Sequence, residues 1–161
     1  MFARLWPLIT ILLLAACNTT QSGQRTSSAA VSPPYKPLLR YVAEDGIGPS
    51  ENAAYFALRC ASAYTNLGAL VKAGVLSDSR DAEAIDDKAV AWIGMARRMK
   101  AQAAGVEEET IAATVREDFA KVNKQVRDYV LLESPEGSGE FPGVATLNQD
   151  LETCAAFNVS G

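Results

Sequence analysis

Histidine is absent from all 161 residues. That excludes Ser-His-Asp and Cys-His catalytic pairs and any zinc site built on imidazole. No serine is followed three positions later by lysine, so the SxxK nucleophile pattern is missing as well. Cys60 and Cys154 are far too distant in sequence for a CxxC redox pair. "EGSGE", Glu136 to Glu140, has neither the lysine of a phosphate-binding loop nor a strand before it. Basic residues number 15 against 19 acidic, a net charge of −4, and no long basic run occurs, which describes a poor nucleic-acid binder. No apolar run reaches the roughly 20 residues of a bilayer-spanning helix. Internal repeats and the alternating pattern of strands are also lacking. The chain is therefore expected to be all-α and not an enzyme, with no cofactor and no bound metal.

What is present starts at the N-terminus. Arg4 is the only charge before Cys17, and Leu5 to Leu14 is almost wholly apolar. Ala15 and Ala16 come next. This is the basic, apolar, small-residue order of a secretory signal. Pro7 within the apolar run disfavours a permanent membrane helix.

Leu14-Ala15-Ala16-Cys17 resembles the lipobox of bacterial lipoproteins. The resemblance covers residues 1–17. It implies removal of residues 1–16 and attachment of lipid to Cys17, which becomes the new N-terminus. Each buried CH₂ contributes about 0.8 kcal/mol, and two or more chains hold a protein stably where one holds it marginally. The partner implied is thus a membrane. Asn18 is not the aspartate that favours inner-membrane retention in enteric bacteria, so the expected address is the outer membrane, facing the periplasm.

Residues 17–48 are expected to be a lipid-anchored flexible tether. "NTTQSGQRTSSAAVSPP" has almost nothing to bury. Fully stretched, residues 18–48 reach on the order of 100 Å. Tyr35 to Val42 is more apolar, and Pro33, Pro34 and Pro37 point to an extended strap across the folded domain.

From residue 49 to 161 the pattern is helical and predicts a small four-helix bundle. Ser50 suits the cap of the first helix, whose stripe is Phe56, Cys60, Ala63, Leu67 and Leu70, with Gly74 as its stop. The second starts near Asp78, shows Ile85, Ala89, Trp92, Ala96, Met99 and Ala103, and stops at Gly105. The third begins at Glu107 to Glu109, carries Ile111, Val115, Phe119, Val122, Val126 and Tyr129, and ends at Ser134-Pro135. "SPEGSGEFPG" reads as a loop. A short fourth helix presents Val144, Leu147, Leu151 and Cys154. Gly68 and Gly94 lie inside helices and favour close helix approach.

An odd cysteine count in an exported protein needs a reason. With Cys17 lipidated, Cys60 and Cys154 remain, each on an inward stripe in an oxidising compartment. A Cys60–Cys154 disulfide between the first and last helices is expected, the alternative being two buried thiols.

Arg97, Arg98 and Lys100 are the one basic cluster of the folded part. They can form an anion site for a headgroup, a cell-wall carboxylate or an acidic partner patch. The plainer reading, cations complementing a helix C-terminus on a solvated face, is favoured. Asp78 to Asp87 and Glu107 to Glu109 read as charged first turns rather than calcium ligands. Phe141 either anchors a partner or plugs the end of the bundle.

The layout, including "CAAFN" at Cys154 to Asn158, is similar to that of type II secretion pilotins. This resemblance implies a non-enzymatic envelope module whose inter-helix groove accepts an amphipathic partner helix. The competing expectation is a binder of a small apolar or lipid ligand, in a cavity near Trp92.

Overall fold

A computed structural model describes residues 35–47, 51–78, 81–132 and 142–157. The signal, Cys17, the tether up to residue 34, Ser50 and, of the predicted loop, residues 134–141 with Phe141 lie outside the described residues; Pro142 and Gly143, also expected in that loop, begin the last helix. The fold is all-α. Its elements are α1 (Leu38–Asp45), α2 (Glu51–Lys72), α3 (Ala82–Ala104), a 3-10 turn (Glu108–Ile111), α4 (Ala112–Leu132) and α5 (Pro142–Ala156).

The apolar stripes decide the packing. Phe56, Cys60, Ala63, Leu67 and Leu70 of α2 are all buried, as are Ile85, Ala89, Trp92 and Ala96 of α3. Val115, Val122, Val126 and Val130 of α4, with Leu147, Leu151 and Cys154 of α5, complete the core. Alpha-2 is the central element and touches α1, α3, α4 and α5. Its contact with α3 is the most extensive, while α3 and α4 meet only lightly. The stripe of α3 stops short of its predicted end. Met99 is half-buried against the core and Ala103 is exposed, while Ala101, off the predicted stripe, is buried.

Helix ends follow local chemistry. The Asp81 carboxylate accepts the Glu83 N–H at 3.3 Å, so α3 starts at Ala82, a turn later than Asp78. Gly74 and Gly105 close α2 and α3 with φ of 71° and 66°. The next amides, of Val75 and Val106, return to the carbonyls of Leu70 and Ala101, which satisfies otherwise orphaned acceptors. Glu107 to Glu109 belong to the 3-10 turn and its cap rather than to the first turn of an α-helix.

Two expectations need correction. The bundle has a fifth helix, and it falls where an extended strap was expected. Residues Tyr35 to Pro37 are extended, but Pro37 stands at the N-cap of α1. A proline there needs no amide hydrogen and already has a helix-compatible φ, here −51°. The same residue that breaks a helix from within starts one at its edge. Residues 35–47 are therefore part of the folded domain rather than of the tether.

Cys60 and Cys154 form a disulfide between α2 and α5, the first and last of the four predicted helices. Their Cα atoms are 5.6 Å apart and both residues are buried. The 94-residue separation is of the size for which loop-closure entropy gives about 4–5 kcal/mol.

Candidate functional site

The predicted basic cluster divides. Arg97 pairs with Glu108 of the 3-10 turn at 2.9 Å, and Lys100 pairs with Asp118 of α4 at 2.5 Å. Both bridges cross the α3–α4 junction, where the acids come from the elements next in sequence. They are half-exposed, so each contributes at most about 1 kcal/mol. Arg98, one position further round the helix, is exposed. The three cations therefore do not converge on one anion site. Two of them fasten α3 to the 3-10 turn and to α4.

A depression of about 340 Å³ is lined by residues of α2, α3 and α4. Leu58 and Val122, both buried, form its floor, with Tyr55 beside them. Lys100, Asp118 and Lys121 line its charged edge, where Lys100 and Asp118 are paired with each other. Lys121 also holds Glu117 at 2.8 Å along α4. This is a half-open surface depression that combines apolar lining with charges of both signs.

Trp92 is not part of this cleft. It is 2% exposed, with its ring packed edge-on to Phe56 at 5.8 Å, and Phe56 in turn meets Phe157 at 4.9 Å. Among the described residues, no group of three His, Cys, Asp or Glu side chains is placed to hold a metal ion. No described helix is long and apolar enough to cross a membrane.

The most concentrated polar chemistry lies on the inward face of α2 and α5. Asp150 is fully buried and Arg59 is 4% exposed. The Arg59 guanidinium donates to Asp150 at 2.8 Å and to the Lys36 carbonyl at 3.1 Å. Asp150 also accepts the Leu38 N–H at 2.7 Å and the Tyr35 hydroxyl. One carboxylate thus caps α1 and neutralises a buried cation at the same time. The Tyr35 ring is sandwiched between Tyr129, stacked at 4.0 Å, and the Arg59 guanidinium at 4.3 Å.

Burial pushes the Tyr35 hydroxyl well above the usual tyrosine range; Arg59 opposes this and Asp150 adds to it. For Arg59, burial works against the charge, but the attraction of Tyr35 and Asp150 outweighs it and its pKa rises further. The guanidinium is permanently charged. A second, part-buried network ties α2 to α4: the Asn123 side-chain oxygen accepts from Ser62 at 3.0 Å and from Asn66 at 2.9 Å.

The sequence patterns single out none of Tyr35, Arg59, Asp150 or Asn123. One signal is available. Asp150 lies between Leu147 and Leu151 on the stripe that leads to Cys154, and a carboxylate on an apolar face requires a partner. Arg59, directly before Cys60, is the natural choice.

Comparison of the chain with known protein families, with characterised proteins and with solved structures finds no significant match to any of them.

Proposed function

We propose that this protein is a lipid-anchored envelope lipoprotein, held at the outer membrane through Cys17 and facing the periplasm. Its helical domain serves as a non-enzymatic docking module for an envelope protein partner. The anchor rests on the Leu14-Ala15-Ala16-Cys17 sequence at the end of an apolar run. The docking role rests on one observation: the α2–α3–α4 cleft with its apolar Leu58 and Val122 floor and its Lys100, Asp118 and Lys121 rim. Such a seat suits one or two apolar side chains of an amphipathic helix, whose polar flanks exchange with the rim charges. Acids and bases at the rim are matched in ion pairs, which suits recognition better than proton transfer. The packing of Trp92 against Phe56 favours this reading over a lipid cavity at that site.

A photo-crosslinking side chain at position 125, on the cleft wall, tests the docking role in cells. It is expected to capture one envelope protein, and the adduct should disappear with Lys121→Glu. The same crosslinker at exposed position 90 serves as control. Equal capture from both positions overturns the proposal. Cys17→Ser should move the protein from the membrane to the soluble fraction, and persistent membrane association overturns the anchor.

A further inference from the structure

The contact between α2 and α5 carries three features within about one helical turn. Arg59 directly precedes Cys60, and Asp150 stands four residues before Cys154. Arg59 pairs with Asp150, while Cys60 is bonded to Cys154. Among the described residues, the hydrogen bonds that fasten residues 35–38 to the core end on this same pair: Tyr35 and Leu38 on Asp150, the Lys36 carbonyl on Arg59. The N-terminal segment is thus held by groups whose register the disulfide sets.

Alpha-5 has 15 residues, near the length at which an isolated helix is marginal. Leu147, Leu151 and the Arg59–Asp150 pair hold it to the core, and the disulfide is its one covalent cross-link among the described residues. Alpha-2 and α3 pack along their lengths, and α2 and α4 share the Ser62–Asn66–Asn123 network.

We infer that the Cys60–Cys154 disulfide gates the docking of the Tyr35–Asp45 segment: the oxidised domain holds it on α2 and α5, and the dithiol form releases it while α2, α3 and α4 remain packed. Closing the latch is a thiol–disulfide exchange. The two thiols give up two electrons and two protons to a disulfide-bearing oxidant of the envelope, which leaves as a dithiol. Opening is the reverse exchange with an external dithiol. Both cysteines are buried, so a thiolate reaches a sulfur only when the residues covering the disulfide open locally. Coupling is reciprocal, so the docked segment protects the disulfide as the disulfide holds the segment. The released segment also withdraws Tyr41 from Tyr55, a wall of the cleft, whose ring it meets at 5.1 Å. Only this last consequence rests on the docking role proposed above.

Hydrogen exchange of the full chain, monitored by mass spectrometry, reads the gate directly. In Cys60→Ala/Cys154→Ala, amides 38–46 should exchange at least about tenfold faster than in the oxidised wild type, with α2–α4 still protected. Wild-type protection of 38–46 in the folded variant overturns the inference. A second measurement does not depend on that variant folding. Tyr35→Ala/Leu38→Ala removes the Tyr35 hydroxyl bond, its ring stack on Tyr129 and the buried Leu38 side chain, which weakens the hold on the segment, but leaves the cysteines and the ion pair in place. The dithiol concentration that half-reduces this variant should fall about tenfold, within the usual 5–150-fold range of such couplings. An unchanged midpoint overturns the coupling. Neither readout involves a partner or the membrane, so failure here is distinct from failure of the docking role.

Discussion

Replacing Gly143 by alanine puts a methyl group where α5 crosses α4. The added carbon would lie 2.6 Å from the Val130 Cα and 3.0 Å from the carbonyl oxygens of Tyr129 and Val130. All three are backbone atoms and cannot rotate aside. Carbon atoms in contact need about 3.5–4.0 Å, so the start of α5 must retreat by about 1 Å. Overpacking of this kind costs about 1–3 kcal/mol. The retreat is shared by Leu147, Asp150 and Cys154, all on the same helix. The same substitution elsewhere behaves differently. At Gly94 the new carbon meets only an Arg98 guanidinium nitrogen at 3.6 Å, a movable tip. There alanine gains its helix propensity, about 0.8–1.0 kcal/mol. At Gly68 the carbon meets the Asp86 carboxylate at 3.0 Å and an Ile85 methyl at 3.3 Å, which offsets that gain. Urea denaturation of the oxidised proteins should place Gly94→Ala above wild type, Gly68→Ala within about 1 kcal/mol of it, and Gly143→Ala lowest. A Gly143→Ala protein as stable as wild type would refute the α4–α5 packing.

Three further outcomes are expected. Asp150→Ala leaves the Arg59 cation buried without its partner and should cost about 3–5 kcal/mol in denaturation, whereas Arg59→Met/Asp150→Leu should recover only part of it, because the Tyr35 hydroxyl and the Leu38 N–H still lack their acceptor; a single-variant loss below about 1 kcal/mol contradicts the buried pair. Lys100→Ala removes a half-exposed bridge and should cost no more than about 1 kcal/mol by the same assay. Tyr35 has a raised folded pKa, so its contribution is full below pH 10, the value of the unfolded side chain. Above that the unfolded chain releases a proton that the folded one keeps, and stability falls by up to about 1.4 kcal/mol per pH unit. Tyr35→Phe should flatten this alkaline slope, and identical slopes in the two proteins would contradict the burial of that hydroxyl.

Much of the bundle is legible in the chain because its helices bury their stripes on one shared neighbour. Phe56 to Leu70 and Val115 to Val126 keep the four-three spacing without interruption, and the cysteines sit within two such stripes. Alpha-1 escapes such a reading for a physical reason. Pro37 forbids helix before itself and favours it after, and composition alone does not say on which side the chain lies. The basic cluster misleads because a cation at a helix end looks solvated until the next element supplies its acid, as Glu108 and Asp118 do here. The Arg59–Asp150 pair joins residues 91 apart, and only the fold brings them together. The cleft is lined by residues of three helices far apart in sequence, which no local residue pattern brings together.

The seat of Tyr35 and Leu38 also determines where a pull on the chain would be carried. With lipid on Cys17, the stretch between anchor and fastening is Asn18 to Pro34, with an extended reach of about 60 Å rather than the roughly 100 Å of residues 18–48. Tension arriving at Tyr35 passes to Asp150 and Arg59, and so to α5 and α2 together. Those two helices are joined covalently by Cys60 and Cys154 at that level. The load therefore enters the domain at its covalent α2–α5 cross-link.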